Sequence, residues 1–204
     1  MSLPFGERKE MPYLVMNEAG ERINEGDSIA NFRGAPGTFL RVTRGAEYNG
    51  TAKVSVRDPG KWERESYADA WRLRVRTVNE WVAAQDHRAI TDENVRSIME
   101  LMSQGADYWM DPLNLANEAE TPSETTFTVV DIANDRDFHL TYGDIRIAFL
   151  MLADPEQKLV HARSAHYFRT AWADRDADGI QVQDLDTVSG DLVAQVACFG
   201  EVRH

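Results

Sequence analysis

With one cysteine in 204 residues, Cys198 has no partner within the chain, so a disulfide framework is excluded. Cys198 lies in an apolar helical pattern and reads as a small packed hydrophobe rather than a nucleophile. No hydrophobic run approaches the roughly 20 residues of a membrane span. The start, Met1-Ser2-Leu3-Pro4-Phe5-Gly6, lacks the basic-then-apolar order of a signal peptide. These absences lead to the expectation of a cytoplasmic protein with no membrane partner. Missing as well are a Gly-x-Ser-x-Gly elbow, a phosphate loop and a dinucleotide fingerprint. Carboxylate pairs are frequent, but an acidic chain supplies them by chance and nothing marks one as a catalytic acid or base. The sequence therefore assigns no catalytic residue and no cofactor.

What is present suits a globular chain of one large or two small domains, 43% hydrophobic and 27% charged. The charge is unevenly divided. Residues 1–80 hold 13 Lys+Arg and 12 Asp+Glu, a net of +1; residues 81–204 hold 9 and 22, a net of −13; together they make the −12 of the whole. Two regions with different surfaces follow from that asymmetry, and the acidic half disfavours nonspecific binding to phosphate backbones.

Residues 1–11 are polar and aperiodic, the pattern of a flexible tail. From 12 to 76 the signals are short strands separated by turn residues. Tyr13-Leu14-Val15-Met16, Ser28 to Arg33, Thr38 to Thr43 and Ala52 to Arg57 read as strands, and Asn49-Gly50 as a two-residue hairpin turn. Trp71, Leu73 and Val75 alternate with Arg72, Arg74 and Arg76, predicting another. About five short strands in about 65 residues suggest a small barrel, because closure removes sheet edges.

The phrases Gly26-Asp27, Phe32-Arg33-Gly34, Phe39, Val42-Thr43-Arg44-Gly45 and Asn49-Gly50-Thr51-Ala52-Lys53-Val54 resemble an SH3-like small barrel. Together with Val193-Ala194-Gln195-Val196-Ala197-Cys198-Phe199-Gly200-Glu201, they are similar to small accessory proteins of actinobacterial phages. The resemblance covers about a third of the chain and brings no activity with it.

Residues 77–90 form a connector, with Trp81 to Ala84 as a helical turn, and 91–204 an acidic, mainly helical region with a short hairpin. Thr91-Asp92-Glu93 opens a helix whose stripe is Val95, Ile98, Met99 and Met102. Tyr108-Trp109-Met110 reads as a strand, Asn117 to Glu124 as a loop. Thr125 to Ile132 and Asp137 to Leu140 make a hairpin turning at Asn134-Asp135. Thr141 and Asp144 form a capping box before a helix apolar on both faces. Asp154-Pro155-Glu156 predicts a further helix to about Ala173, burying Val160, Tyr167, Phe168 and Trp172. Val188, Leu192, Val193, Val196 and Phe199 form the last stripe, closed by Gly200.

Three features bear on function. Asp174, Asp176 and Asp178 followed by Gly179 begin like a calcium loop of the EF-hand type. Leu185 stands where the bidentate glutamate is required, so a solvated turn is the preferred reading and no metal is assigned. Residues 38–76 carry 9 Lys+Arg against 5 Asp+Glu, with Lys53, Arg57, Arg72, Arg74 and Arg76 on polar strand faces and Trp62 and Tyr67 beside them. Nucleic acid is the partner such a face would suit, but aromatic interleaving is thin, and arginines that balance neighbouring acids are preferred. Tyr108 and Trp109 form an aromatic segment suited to a protein interface or, as the preferred reading, to a core. His161 and His166, five apart, do not share a helix face and have no cysteine partners for zinc.

The expectation is an α+β protein: an SH3-like β-barrel at 12–76, then a mainly helical domain. It is expected to be a noncatalytic module, plausible as a phage-type accessory protein, that binds an unidentified host protein or itself. A nucleic-acid-binding protein is the alternative reading, and an enzyme of unrecognised type the third.

Overall fold

The computed structural model describes residues 13–17, 21–45, 52–111 and 127–203. The expected tail, the Asn49-Gly50 turn and the 117–124 loop fall outside these residues. Among the described residues the chain is mixed α+β, with several antiparallel strand pairs and five α-helices. It divides into two compact units. One comprises Ile23–Ala83 with the strand residues up to Val15; the other comprises Met16–Arg22 with the chain from Ala84 onward.

The first unit contains β1 (Tyr13–Met16) up to Val15, β2 (Ser28–Ala30), β3 (Pro36–Arg44), β4 (Lys53–Arg57), β5 (Glu63–Tyr67) and β6 (Arg74–Thr77). β2-β3-β4-β5 form a meander and β1 pairs with β6. Opposed pairs such as Phe39 with Val56 and Val42 with Val54 bring apolar side chains to one face. Val15, Ile29, Phe39, Val54, Val56, Trp71 and Leu73 are buried there. The expected strand over 71–76 is corrected. Asp69–Trp71 is a three-ten turn, Arg72 is left-handed at φ 55°, and β6 begins only at Arg74. The reason is Trp71: the backbone N–H groups of Trp71 and Leu73 both donate to the Ala68 carbonyl (3.0 and 2.9 Å), folding the segment so that the indole enters the core. There it lies so close to Gly37 that a Cβ on that residue would come within 2.6 Å of the ring. The second strand also ends early, at Ala30. The Asn31 carboxamide then accepts from the N–H groups of Arg33 and Ala35 (both 2.9 Å) and holds a turn.

Helix α1 (Glu80–Ala84) lies at the division, within the segment read as a connector. The second unit contains α2 (Asp92–Gly105), the hairpin β7 (Phe127–Asp131) and β8 (Arg136–Leu140), α3 (Tyr142–Ala153), α4 (Ala162–Ala173) and α5 (Thr187–Phe199). α2 starts in a capping box in which Thr91 accepts from the Asn94 N–H and Asn94 answers the Thr91 N–H. α3 has the same device with Thr141 and Asp144 and is buried nearly all round. α2 and α5 cross backbone to backbone. A Cβ on Gly190 would lie 2.3 Å from the Leu101 carbonyl carbon, and one on Gly105 1.8 Å from the Thr187 oxygen.

Two expectations fail here. The helix expected from Asp154 begins at Ala162, and 154–161 are turns. Asp154 accepts from the Glu156 N–H (2.9 Å), while Gln157 accepts from Leu159 and Val160 (2.6 and 3.0 Å). Side chains thus satisfy the donors that helical carbonyls would otherwise take. Of the residues expected to be buried, Phe168 and Trp172 are, whereas Val160 is half-buried and Tyr167 is 38% exposed. The strand expected at 108–110 is a turn, from which Met110 alone bridges to Asp131. Among the described residues no helix is long and apolar enough to cross a membrane.

Candidate interaction surfaces

Among the described residues of the first unit, the cations of the sheet are interleaved with acids. Antiparallel register sets Ser55 opposite Glu65 and Arg57 opposite Glu63, so the acids of β5 stand among the cations of β3 and β4. Lys53 Nζ lies 2.6 Å from Glu65, and Arg41 Nη2 2.7 Å from Glu63. The Ser55 and Thr43 hydroxyls donate to Glu63 (2.5 Å) and Glu65 (2.9 Å). The Ser55 hydroxyl first, then Arg41 and Arg57, hold the Glu63 carboxyl below its ordinary range; for Glu65 the Lys53 hydrogen bond comes first. Arg72 is exposed, Arg74 and Arg76 are half-buried, and none of the three stands without a partner.

Trp62 and Tyr67, named above as aromatic neighbours of the arginines, are 92% and 52% exposed, so neither is a core residue. Tyr67 lies under Lys53, whose Nζ sits 5.4 Å from the ring centre. Trp62 belongs to a different group. Ala30 pairs with Pro36, and Thr38 with Arg57, so the β2–β3 turn and the β4–β5 turn occupy the same end of the meander. Strand spacing sets these two turns roughly 10 Å apart. Phe32, 57% exposed, projects from the first, with the Arg33 guanidinium 5.0 Å from its ring centre. Trp62 projects from the second. Both turns are braced: Gly34 and Gly60 take φ 77° and 70°. Asp58 accepts from Arg64 Nε (3.2 Å), and that hydrogen bond lowers its carboxyl pKa. Pairing Phe32 with Trp62 needs the strand register, which no local pattern in the sequence carries.

In the second unit, Trp109 is buried and Tyr108 is 59% exposed. The two converge on Asp191 of α5, which accepts from Trp109 Nε1 (2.8 Å) and the Tyr108 hydroxyl (3.0 Å). Gln195 also donates to Asp191 (2.9 Å), and its carbonyl accepts from the Arg203 N–H (2.7 Å). Desolvation, then the Asp191 hydrogen bond, pushes the Tyr108 hydroxyl up to about 12. The Trp109 ring packs on Phe199, 5.4 Å between centres, and Phe199 meets Phe138 edge-on at 5.0 Å. Trp109 is therefore core and Tyr108 largely exposed, both buckled to α5 by a polar knot. Nothing in the sequence pointed to Asp191 or Gln195.

The loop after α4 closes as a tight turn. The Asp176 N–H donates to the Gly179 carbonyl (2.9 Å), and Asp176 Oδ1 accepts from the Asp178 N–H (2.9 Å). Its glycine serves contact with α2: at φ 109°, a Cβ on Gly179 would fall 1.9 Å from Asn94 Oδ1. Asn94 grips the next residue from both sides, its Oδ1 accepting from the Ile180 N–H (3.0 Å) and its Nδ2 donating to the Ile180 carbonyl (3.2 Å). Among the described residues no three carboxylate, histidine or cysteine groups converge to hold a metal ion. Between α2 and this loop lies a cleft of about 1240 Å3, lined by groups such as Glu93, Arg96, Ser97, Glu100, Asp178 and Gln183. Its lining includes no histidine, cysteine or lysine among the described residues.

No protein family, curated protein or solved structure matches this chain.

Proposed function

We propose that the chain is a noncatalytic protein-binding module that engages its partner through the Phe32–Trp62 end of the first unit. The observation that carries this reading is Trp62. An indole buries 150–250 Å2 when packed and is among the commonest interface anchors, yet this one is 92% exposed on a braced turn beside a second exposed aromatic. Arg33 and Lys61 flank the pair and give the rim a polar border, as interfaces have. The nucleic-acid reading is weaker, because acids stand among the cations of the sheet: Glu63 pairs with Arg41, Glu65 with Lys53 and Asp58 with Arg64. An SH3-like arrangement of the first unit belongs to the same proposal. Its support is the pairing of the first strand with the last and the three-ten turn just before that last strand. The phage-type accessory role, acting on a host protein in the cytoplasm, is the setting in which such a module makes sense.

Capture from host lysate tests the proposal, with wild type compared against the double variant Phe32→Ala/Trp62→Ala. Both side chains lie largely in solvent, so the variant should keep wild-type stability to within about 0.5 kcal/mol. At least one protein retained by wild type should be lost from the variant. Identical sets of captured proteins, with both chains folded, would reject this surface.

A further inference from the structure

We infer that the chain forms a two-fold homodimer through α4, laid antiparallel against α4 of a second copy. This concerns a different surface from Phe32 and Trp62, and its test reads mass rather than capture, so either idea can fail alone. The first observation is that α4 carries opposite charge at its two ends. Around its N-terminus, Lys158, His161, Arg163 and His166 are exposed, and none has an ion pair among the described residues. Glu156 is the one exposed acid nearby. Beyond its C-terminus stand the exposed Asp174, Asp176 and Asp178. The cation there, Arg175, is folded back, donating to the Trp172 carbonyl (2.5 Å) with its guanidinium 4.0 Å from the Trp172 ring centre.

The second observation lies between those ends. His166 and Tyr167 stand three and four residues after Arg163, Thr170 four and three after them, and Asp174 four further on, so these residues share a face. Its middle is Tyr167, 38% exposed, with the His166 ring 6.2 Å away. A parallel copy would bring like charges together. Antiparallel pairing places each basic end over the partner's acidic loop, twice over, and sets the two Tyr167 rings side by side at the axis. The two-fold operator thus satisfies the charge gradient and covers the aromatic with its own counterpart. Nucleic acid fits the same basic end poorly, because the acidic loop and the net charge of −12 repel a polyanion. A helix of 12 residues is about 18 Å long, so this contact lies at the small end of specific interfaces. The dimer should therefore be weak, dissociating at roughly tens of micromolar, and sensitive to salt.

Sedimentation of the whole 23.1 kDa chain tests this. The weight-average mass should climb toward twice the monomer with concentration at low salt and fall back in about 0.5 M NaCl. Lys158→Glu/Arg163→Glu makes both ends acidic, and Asp174→Lys/Asp178→Lys makes both ends basic. Each variant alone should remain monomeric, while an equimolar mixture should regain the dimer. Wild type that stays monomeric to near-millimolar concentration would overturn the inference. So would a dimer that survives in both variants, or two folded variants whose mixture fails to associate. A cross-link locates the axis independently. In a Cys198→Ser background, Tyr167→Cys should oxidise to a covalent dimer. Arg163→Cys should not, because four residues from the axis the two copies are about 12 Å apart, beyond disulfide reach. Efficient cross-linking at 163 and none at 167 would reject the antiparallel register.

Discussion

On the first unit's sheet, Glu63 and Glu65 stand beside Arg41 and Lys53, whereas at the start of α4 in the second unit Lys158, just before the helix, and Arg163 face water without an ion pair among the described residues. The difference comes from geometry. In a sheet, register sets a neighbour opposite every residue at about 5 Å, so Glu63 on β5 stands opposite Arg57 on β4, and Glu65, opposite Ser55, lies diagonal to Lys53. On a helix surface the neighbours are three and four residues away, and for Arg163, in the first turn of α4, these are His166 and Tyr167. A cluster of arginines in sequence is therefore a poor guide to an open cationic surface. The units also differ in how they hold together. The second brings backbone against backbone at Gly105, Gly190 and Gly179, while the first packs side chains on one face and lays cross-strand ion pairs over the other.

The strongest break in that comparison is Gly190→Ala. Its Cβ would meet the Leu101 carbonyl group, and helix backbone cannot step aside as a flexible side chain would. A loss of about 3 kcal/mol, at the upper end of overpacking costs, is expected from urea unfolding of the second unit. A loss below about 1 kcal/mol would show that the two helices can separate cheaply. By contrast, Gly37→Ala in the first unit meets the edge of the Trp71 ring, a side chain with some room to shift, and should cost less.

Next is Asn94→Ala, which removes the amide that closes the α2 cap and holds Ile180 at both its N–H and its carbonyl. Stranding buried polar backbone should cost about 2 kcal/mol. It should also speed amide exchange at Ile180, and Asn94→Asp, which keeps the acceptor but not the donor, should restore part of the protection. Unchanged exchange at Ile180 would show that the loop does not depend on Asn94.

Tyr108→Phe should have a smaller effect, since Trp109 and Gln195 keep Asp191 satisfied. Its signature is in pH. The folded pKa of about 12 lies above the ordinary tyrosine value of 10.0, so the native state holds the proton more tightly than the unfolded chain. The associated stability is fully present below pH 10 and is lost as pH rises toward 12. An ultraviolet titration should show one late tyrosine that vanishes in Tyr108→Phe. Identical titration curves would refute the Asp191 pairing.

The slightest effect on stability is expected from Glu63→Gln/Glu65→Gln. Both carboxyls are held below their ordinary range, so their contribution is present above about pH 4.5 and is lost as pH falls through the depressed values. The sharper readout is binding. Wild type should not shift single-stranded DNA at low salt, whereas the variant, its cations uncovered, should shift it weakly and lose the shift with added salt. A wild-type shift would restore the nucleic-acid reading.

Much of the second unit was legible because its signals are local. Thr91 and Thr141 at helix starts, Gly200 at φ 75° after α5, and the turn at Asn134-Asp135 between β7 and β8 all act within four residues of themselves. Charge division and the apolar stripes of α2 and α3 were readable for the same reason. Tertiary structure decided the rest. Trp71 drew residues 71–73 out of the strand their alternation predicted, because core packing outweighs a period-two pattern in a short segment. Gln157 and Asp154 unmade a helix start that looked sound, with Arg169 from α4 capping the Asp154 and Pro155 carbonyls. Asp191 meets Trp109 across 82 positions and Asn94 meets Ile180 across 86, and no spacing rule reaches that far. Exposure of Trp62 and Phe32 at one sheet end was also decided there, since a sequence records which residues are apolar but not which ones the fold leaves uncovered.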